Sequence, residues 1–272
     1  MKAMLKMELT RAFRSKGMLF SLVVGNGIAI LFYILVVTKY MKGFYSTLDY
    51  DKTTYLLSSY HCILGLTFDT FSYLFTFIVP ILAAIPYGAS LFMDKKDGYI
   101  NNILIKTDKK NYFLSKLITL FISGGVVAAT PILLSYILAI ISMPSTRPYV
   151  ESGGYMIKGF HMFNEIFYSD YTFLYVIIFI VFDFVLFGLI NCLCMVFTYW
   201  EDNRFAIVLT PFIICYGMHM LSQYYLGYYL SPIVFAKINF LLTDKMTFIY
   251  VEFLVLFLLA ITSLRGAKKD VL

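Results

Sequence analysis

TFLYVIIFIVFDFVLFGLINCLCMVF, residues 172–197, holds one ionisable acid, Asp183, in 26 positions and no lysine, arginine or proline. A helix rises about 1.5 Å per residue, so a run of this length exceeds the roughly 30 Å of a bilayer's hydrocarbon core. Its apolar residues are continuous, unlike the short alternating strands of an outer-membrane barrel. The stretch predicts a transmembrane helix, and the rest of the chain repeats its character. Of 272 residues, 60% are hydrophobic, 19% aromatic and 14% charged, whereas a soluble domain is about 25% charged. The fold class is all-α integral membrane.

Five further apolar runs lie on either side of it: 19–38, 71–92, 117–142, 205–222 and 247–264, making six spans in one membrane domain. Pro80 and Pro86 interrupt the second, and Pro131 and Pro211 fall in the third and fifth. Each removes a backbone hydrogen bond and permits a kink. Orientation follows from Lys and Arg counted on alternate sides of these spans. The N-terminus, the 92–116 loop, Arg204 and the tail together hold fifteen, and the three opposite connections hold seven. By the positive-inside rule the fifteen face the cytoplasm. The chain is thus read as a multi-pass protein of the cell membrane with both termini cytoplasmic.

Residues 1–18 carry Lys2, Lys6, Arg11, Arg14 and Lys16 against the single acid Glu8. At 100° per residue Leu5, Leu9, Ala12 and Phe13 share a face, with Lys6, Arg11 and Arg14 on others. This predicts an interfacial helix lying on anionic lipid, the alternative being a basic flank that sets topology. No cleavage site of a signal peptide follows the first run. The opposite connections, 39–70, 143–171 and 223–246, are rich in aromatic residues that favour the headgroup level. The last is apolar enough to predict a pair of re-entrant helices before the final span.

FMDKKDGYINNILIKTDKKNYFLSK, residues 92–116, concentrates nine charged residues between two spans. After Asp97 and Gly98, the residues Ile100, Ile103 and Leu104 recur at helical spacing around Asn101 and Asn102. They predict a short amphipathic helix over 97–105, with Asp97 capping its first N–H groups. A polar turn, Thr107 to Lys110, precedes Tyr112 and Lys116.

This loop resembles that of ABC type-2 family permeases, in which an acid and a glycine open a short coupling helix bearing an apolar pair. Asp97 and Gly98 match the opening, Ile103 and Leu104 the pair, Tyr112 the following aromatic and Lys116 the closing lysine. The departures are Lys95 and Lys96, where the family often has glutamate, and Thr107, where it often has proline. The layout of the whole chain matches as well. The resemblance implies an exporter of two permease subunits, identical or sister, each receiving an ABC ATPase that binds ATP and Mg. It implies coupling through Asp97, Gly98, Tyr99, Ile100, Asn102, Ile103 and Leu104, aided by Leu5, Leu9, Arg11, Phe13 and Arg14 of the interfacial helix. It also suggests that the second and fifth spans line the path. The cargo it implies is amphipathic or apolar: an antimicrobial peptide in export or immunity, or a lipid-like or drug-like molecule. No GxxxxGK[ST] phosphate loop occurs, so the chain is not read as an enzyme and binds no cofactor of its own.

Asp183 and Glu252 lie within spans, where a carboxylate costs about 3 kcal/mol, so each should face protein or water. With His219 they are candidate translocation-path residues, the alternative being interhelical hydrogen bonds. Cys62, Cys192, Cys194 and Cys215, with His61, His161 and His219, show no metal-ligand spacing. An enzyme built on Asp183 or Glu252 with His219 is disfavoured, because His219 falls near the outer end of its span while Asp183 is deep. Nothing suggests nucleic acid as a partner. A non-transporting membrane scaffold or sensor, docking a cytoplasmic partner on the loop helix, is the alternative to transport.

Overall fold

A computed structural model of the chain describes residues 1–47, 58–67, 69–148, 164–225, 231–236, 246–262 and 264. Among the described residues the secondary structure is entirely helical. After α1 (Lys2–Phe13), α2 (Lys16–Phe32) passes through a π-helical turn, Tyr33–Val37, into α3 (Thr38–Thr47). Then come α4 (Thr70–Ala84), α5 (Ser90–Lys96), α6 (Tyr99–Leu104) and α7 (Lys109–Ser142). The chain continues with α8 (Asn164–Phe167), α9 (Thr172–Phe197), α10 (Arg204–Tyr225), α11 (Pro232–Phe235) and α12 (Met246–Thr262).

Four stretches are long and apolar enough to cross a membrane: Lys16–Lys42, Lys109–Ser142, Thr172–Phe197 and Arg204–Tyr224. The protein is therefore a membrane protein. At 15 and 17 residues, α4 and α12 reach about 22 and 26 Å, short of the hydrocarbon thickness. The expected single span over 71–92 is two helices. α4 ends at Ala84, a turn carrying Pro86 intervenes, and α5 restarts at Ser90. Pro86 has no N–H with which to continue the ladder. In contrast, α7 starts at Lys109, eight residues before the expected 117, so Tyr112 and Lys116 lie on the long helix itself. Pro131 falls inside it without ending it.

The core is built on α7 and α9, which approach closely where glycines meet Phe121 and Phe184. A Cβ on Gly125 would lie 2.7 Å from the Phe184 carbonyl oxygen, and one on Gly188 2.7 Å from that of Phe121. Asn191 donates from Nδ2 to the Leu120 carbonyl at 2.8 Å. Small residues and a polar clasp are the usual means of joining helices in lipid, where hydrophobic burial gives no drive between them. The pairing register makes α7 and α9 antiparallel. On the other side of α7, Gly25 of α2 meets Pro131, and Gly17 approaches the Ile85 carbonyl where α4 ends. α4 packs on α10 through Phe77, edge-on to Phe212 and Tyr216. α12 meets α9 through Phe253 and Phe182. Exposed Leu19, Phe20, Ile213, Leu254 and Leu258 cover the periphery, as a lipid-facing surface requires.

Residues 58–67, expected in an external connection, are drawn into the core: Ser58, Ser59, Cys62, Ile63 and Leu64 are fully buried. Their irregular backbone is satisfied by hydroxyls from neighbouring helices. The Leu64 N–H donates to Ser135 Oγ and the Gly65 N–H, at φ 89°, to Ser72 Oγ, each at 3.1 Å. In the connection expected to hold the re-entrant pair the structure describes α11, with Ser231 capping its start. Residues 226–230 and 237–245 lie outside the described residues, as does the basic tail from Arg265.

Candidate functional site

Where α1, α5, α6 and the foot of α7 converge, the protein joins four charges in one network, burying Glu8, Asp94 and Lys116 and leaving Arg11 at its exposed edge. The Lys116 side chain has no exposed surface, yet its Nζ lies 2.7 Å from Asp94 Oδ2 and 3.2 Å from Glu8 Oε2. It also donates to the Tyr87 hydroxyl at 3.0 Å. Arg11 grips Asp94 with both terminal nitrogens, Nη2 to Oδ1 at 2.8 Å and Nη1 to Oδ2 at 3.3 Å. The same Nη1 reaches Glu8 at 3.3 and 3.4 Å. Tyr112 donates from its hydroxyl to Asp94 Oδ2 at 2.7 Å. The Arg11 guanidinium stands 4.8 Å above the Tyr99 ring, linking α6 to the group.

Each member is placed by its helix. Glu8 and Arg11 sit three residues apart on α1, so both face the same neighbours, and Tyr112 and Lys116 do so at four residues on α7. Asp94 is set by the α4–α5 break, which turns the chain so that α5 lies against both. Met4, Leu91, Ile100, Phe113 and Leu120 form the apolar surround. Charge is balanced: two carboxylates meet two cations.

The two acids are held differently. Asp94 receives three close donors, and although burial works against its charge, Arg11, Lys116 and Tyr112 together hold it below the ordinary aspartate range. Glu8 has longer contacts. Burial pushes its carboxyl above the ordinary range, with Lys116 and Arg11 offsetting that in part. Asp94 is the fixed anion, and Glu8 is the acid that takes up a proton first.

The structure redistributes the sequence-predicted residues. On α1 the packed stripe is Met4, Glu8 and Ala12, while Leu5 and Leu9 are half-buried and Phe13, Arg11 and Arg14 are exposed to differing degrees. The expected apolar face is thus divided, with Ala12 against the protein and Phe13 at the surface. Asp97 does not cap α6: it closes α5, donating its N–H to the Met93 carbonyl, and Gly98 takes the N-cap in the left-handed conformation, φ 68°, without a side-chain cap bond. That conformation suits glycine. Tyr99 joins the network, Ile100 is buried, Ile103 and Leu104 are half-buried, and Asn102 is exposed.

Among the described residues, Asp183 on α9 and His219 on α10 share no hydrogen bond. Asp183 is buried on α9 and its Oδ1 has no hydrogen-bond partner. His219 pairs through Nδ1 with Ser231 at 2.8 Å. Glu252 falls on α12, and its side chain lies outside the described residues. Among the described residues no three His, Cys, Asp or Glu side chains are grouped to hold a metal ion. All four cysteines are buried free thiols.

Sequence reasoning gave Glu8, Asp94 and Tyr87 no role, and treated Lys116 and Tyr112 as motif positions alone. The available signal was positional: one acid inside a basic helix, one acid closing an apolar run, and one lysine opening the next. No family model matches the chain, and comparison with curated proteins and with solved structures likewise gives no match.

Proposed function

We propose that the chain is the transmembrane permease subunit of an ATP-driven ABC type-2 exporter in the cytoplasmic membrane, with six spans and both termini inside. The observation that carries this reading is the ion-pair network of buried Glu8, Asp94 and Lys116 with Arg11. It fastens a surface helix and a short exposed helix to the foot of a 34-residue helix at the centre of the bundle. Such an arrangement turns a push on α6 into movement of α7 and, through the glycine-lined crossing, of α9. A helix that merely closed a bundle has no need of three buried charges joined to an arginine.

In this reading ATP and Mg bind a separate ABC ATPase subunit that contacts α6, and a second permease, identical or sister, completes the transporter. The excess of fifteen Lys and Arg over seven supports placing α1, α5 and α6 inside. The aromatic contact of α4 with α10 supports these two as neighbours along the path, and Asp183, His219 and Glu252 are its candidate polar residues. The cargo is amphipathic or apolar, with an antimicrobial peptide first and lipid-like or drug-like molecules next.

The test is recovery of the tagged chain from its native membrane in mild detergent. An ATP-hydrolysing subunit in stoichiometric amount, with cargo movement that stops without ATP, supports the proposal. A stable partner with no ATP-dependent movement of cargo establishes the scaffold instead. Side is checked with Lys106→Cys and an impermeant thiol reagent, since the native thiols are buried. Labelling of intact cells from outside would remove the orientation on which the scheme depends.

A further inference from the structure

α2 carries three glycines. Two are accounted for inside the chain: a Cβ on Gly17 would meet the Ile85 carbonyl oxygen at 2.9 Å, and one on Gly25 would meet Pro131 Cγ at 2.9 Å. Gly27 is different, since a Cβ there would have no neighbour within 4 Å. Beside it, Asn26 is half-buried and makes no hydrogen bond among the described residues. We infer that this face of α2 is the contact for a second copy of the chain, joined across a two-fold axis by paired Asn26 amides beside the close approach that Gly27 allows. The inference rests on the reading of two paired permeases, but its test needs no ATP.

Depth separates a protein occupant from a lipid one. The apolar run of this span begins at Leu19, and Asn26 lies seven residues further, about 10 Å along the axis. Thr38, where the run ends, is twelve residues beyond, about 18 Å. The amide therefore sits within the hydrocarbon, where acyl chains offer no hydrogen bond. Its side chain is too short to reach the headgroups as a lysine or arginine would. The missing partner comes from another protein surface.

Complementarity fixes the partner. A primary amide is donor and acceptor at once, so two copies of Asn26 exchange N–H···O bonds reciprocally, as a two-fold contact between identical patches requires. At 100° per residue Val23 and Ile30 fall between Asn26 and Gly27 on the helix surface. Both are exposed, at 62% and 45%, and would form an apolar ridge on the axis. Small residues and an interhelical amide are what helices use to associate in lipid. The nearest charge on this face, Lys16, lies eleven positions before Gly27, about 16 Å away. There, at the water edge, repulsion between the two copies is screened. The exposed flanks of α7 and α9 offer only groups that lipid satisfies, such as Ile137, Ile141, Ile177 and Val181.

The experiment reconstitutes the full chain, bearing a donor or an acceptor fluorophore on a C-terminal tag, in vesicles over a range of lipid-to-protein ratios, so that energy transfer reports pairing. The wild type pairs, and more so as lipid is withdrawn. Asn26→Leu weakens pairing at least about fivefold, Gly27→Leu does so by bulk, and Asn26→Gln keeps part of it. Because Asn26 makes no hydrogen bond in its own chain and Gly27 faces open space, these variants melt as the wild type does, which separates lost pairing from misfolding. In native membranes oxidation crosslinks Ile30→Cys into a dimer and leaves Val181→Cys monomeric, the native thiols being buried. A chain that stays monomeric at every ratio, pairing indifferent to Asn26→Leu and Gly27→Leu, or crosslinking through Val181→Cys alone overturns the inference. So does crosslinking of Ile30→Cys only to a chain of different mass. The two readings fail separately. Pairing through Asn26 without any co-purifying ATPase leaves this contact and removes ATP-driven transport, whereas an ATPase-bound pair undiminished by Asn26→Leu does the reverse.

Discussion

Replacing Lys116 by methionine keeps the length of the side chain and removes its charge, leaving Glu8 and Asp94 sharing Arg11 alone. At about 3 Å and an effective dielectric of 20, each lost ion pair is a gross interaction of about 5 kcal/mol. The net cost is smaller, because Glu8 can escape by taking up a proton. An ordinary glutamate titrates near 4.5, so keeping one neutral at pH 7 costs about 3.4 kcal/mol, at 1.36 kcal/mol per pH unit. This sets a ceiling on what the stranded acid can cost, in line with the 3–5 kcal/mol seen when one partner of a buried pair is removed. The ceiling falls with pH: at pH 5.5 the same protonation costs about 1.4 kcal/mol. Lys116→Met should therefore destabilise the protein by about 3 kcal/mol at pH 7 and by less than half of that at pH 5.5. Thermal unfolding in detergent, followed by retention on size exclusion across that pH range, measures it. Glu8→Gln in the Lys116→Met background should recover most of the loss and abolish its pH dependence. A loss that is the same at both pH values, or a double variant no better than the single one, refutes the idea that Lys116 compensates buried carboxylates.

Arg11→Lys loses the two-pronged grip on Asp94 and the stack on Tyr99, and should cost about 1–2 kcal/mol in the same melting assay despite conserving charge. In the wild type, Glu8 is raised, so its contribution is fully present below about 4.5 and is lost as pH rises through its folded value. Asp94 is lowered, so its contribution is present above about 3.8 and is lost as pH falls through its folded value. Stability should therefore rise on acidification toward pH 4.5 and fall below 3.8, and Glu8→Gln should remove the rise alone. Gly188→Leu forces side-chain atoms toward the Phe121 carbonyl and should part α7 from α9, costing at least about 1–3 kcal/mol as reduced yield of folded protein. Gly98→Ala meets no neighbouring atom but occupies the left-handed region, and should cost about 1 kcal/mol through strain, with weakened α6-dependent partner binding as the functional readout.

The class of fold was written in the length of residues 172–197, whose predicted ends coincide with α9. Helix breaks were less visible. Pro131 lies within an unbroken α7, whereas Pro86 falls in the turn that ends α4, and hydropathy treats both alike. What differs is tertiary: the Ile85 region is where Gly17 of α2 presses on the chain, a contact that no local pattern reports. The charged loop was recognised as a short helix from its period, and the structure adds which of its sides face inward. Ile103 and Leu104 lean inward, and the exposed positions are Asn101, Asn102 and Ile105. A periodicity argument finds an apolar face without saying whether protein or a partner covers it.

The network was illegible for a deeper reason. Glu8, Asp94 and Lys116 are separated by 86 and 22 residues, and no local pattern connects them. Their burial follows only from bringing three helices together, and buried ions are a poor source of stability, since apolar replacements of equal volume often serve as well or better. What ions add is discrimination among arrangements. An apolar α1 could slide or rotate against α5 and α7 with little change in burial, but Glu8 and Arg11 meet their partners at one depth and one rotation. Any other placement strands a charge in a protein interior. A surface helix that must carry displacement to the core of a bundle needs that property more than it needs adhesion, because a joint that slips transmits nothing.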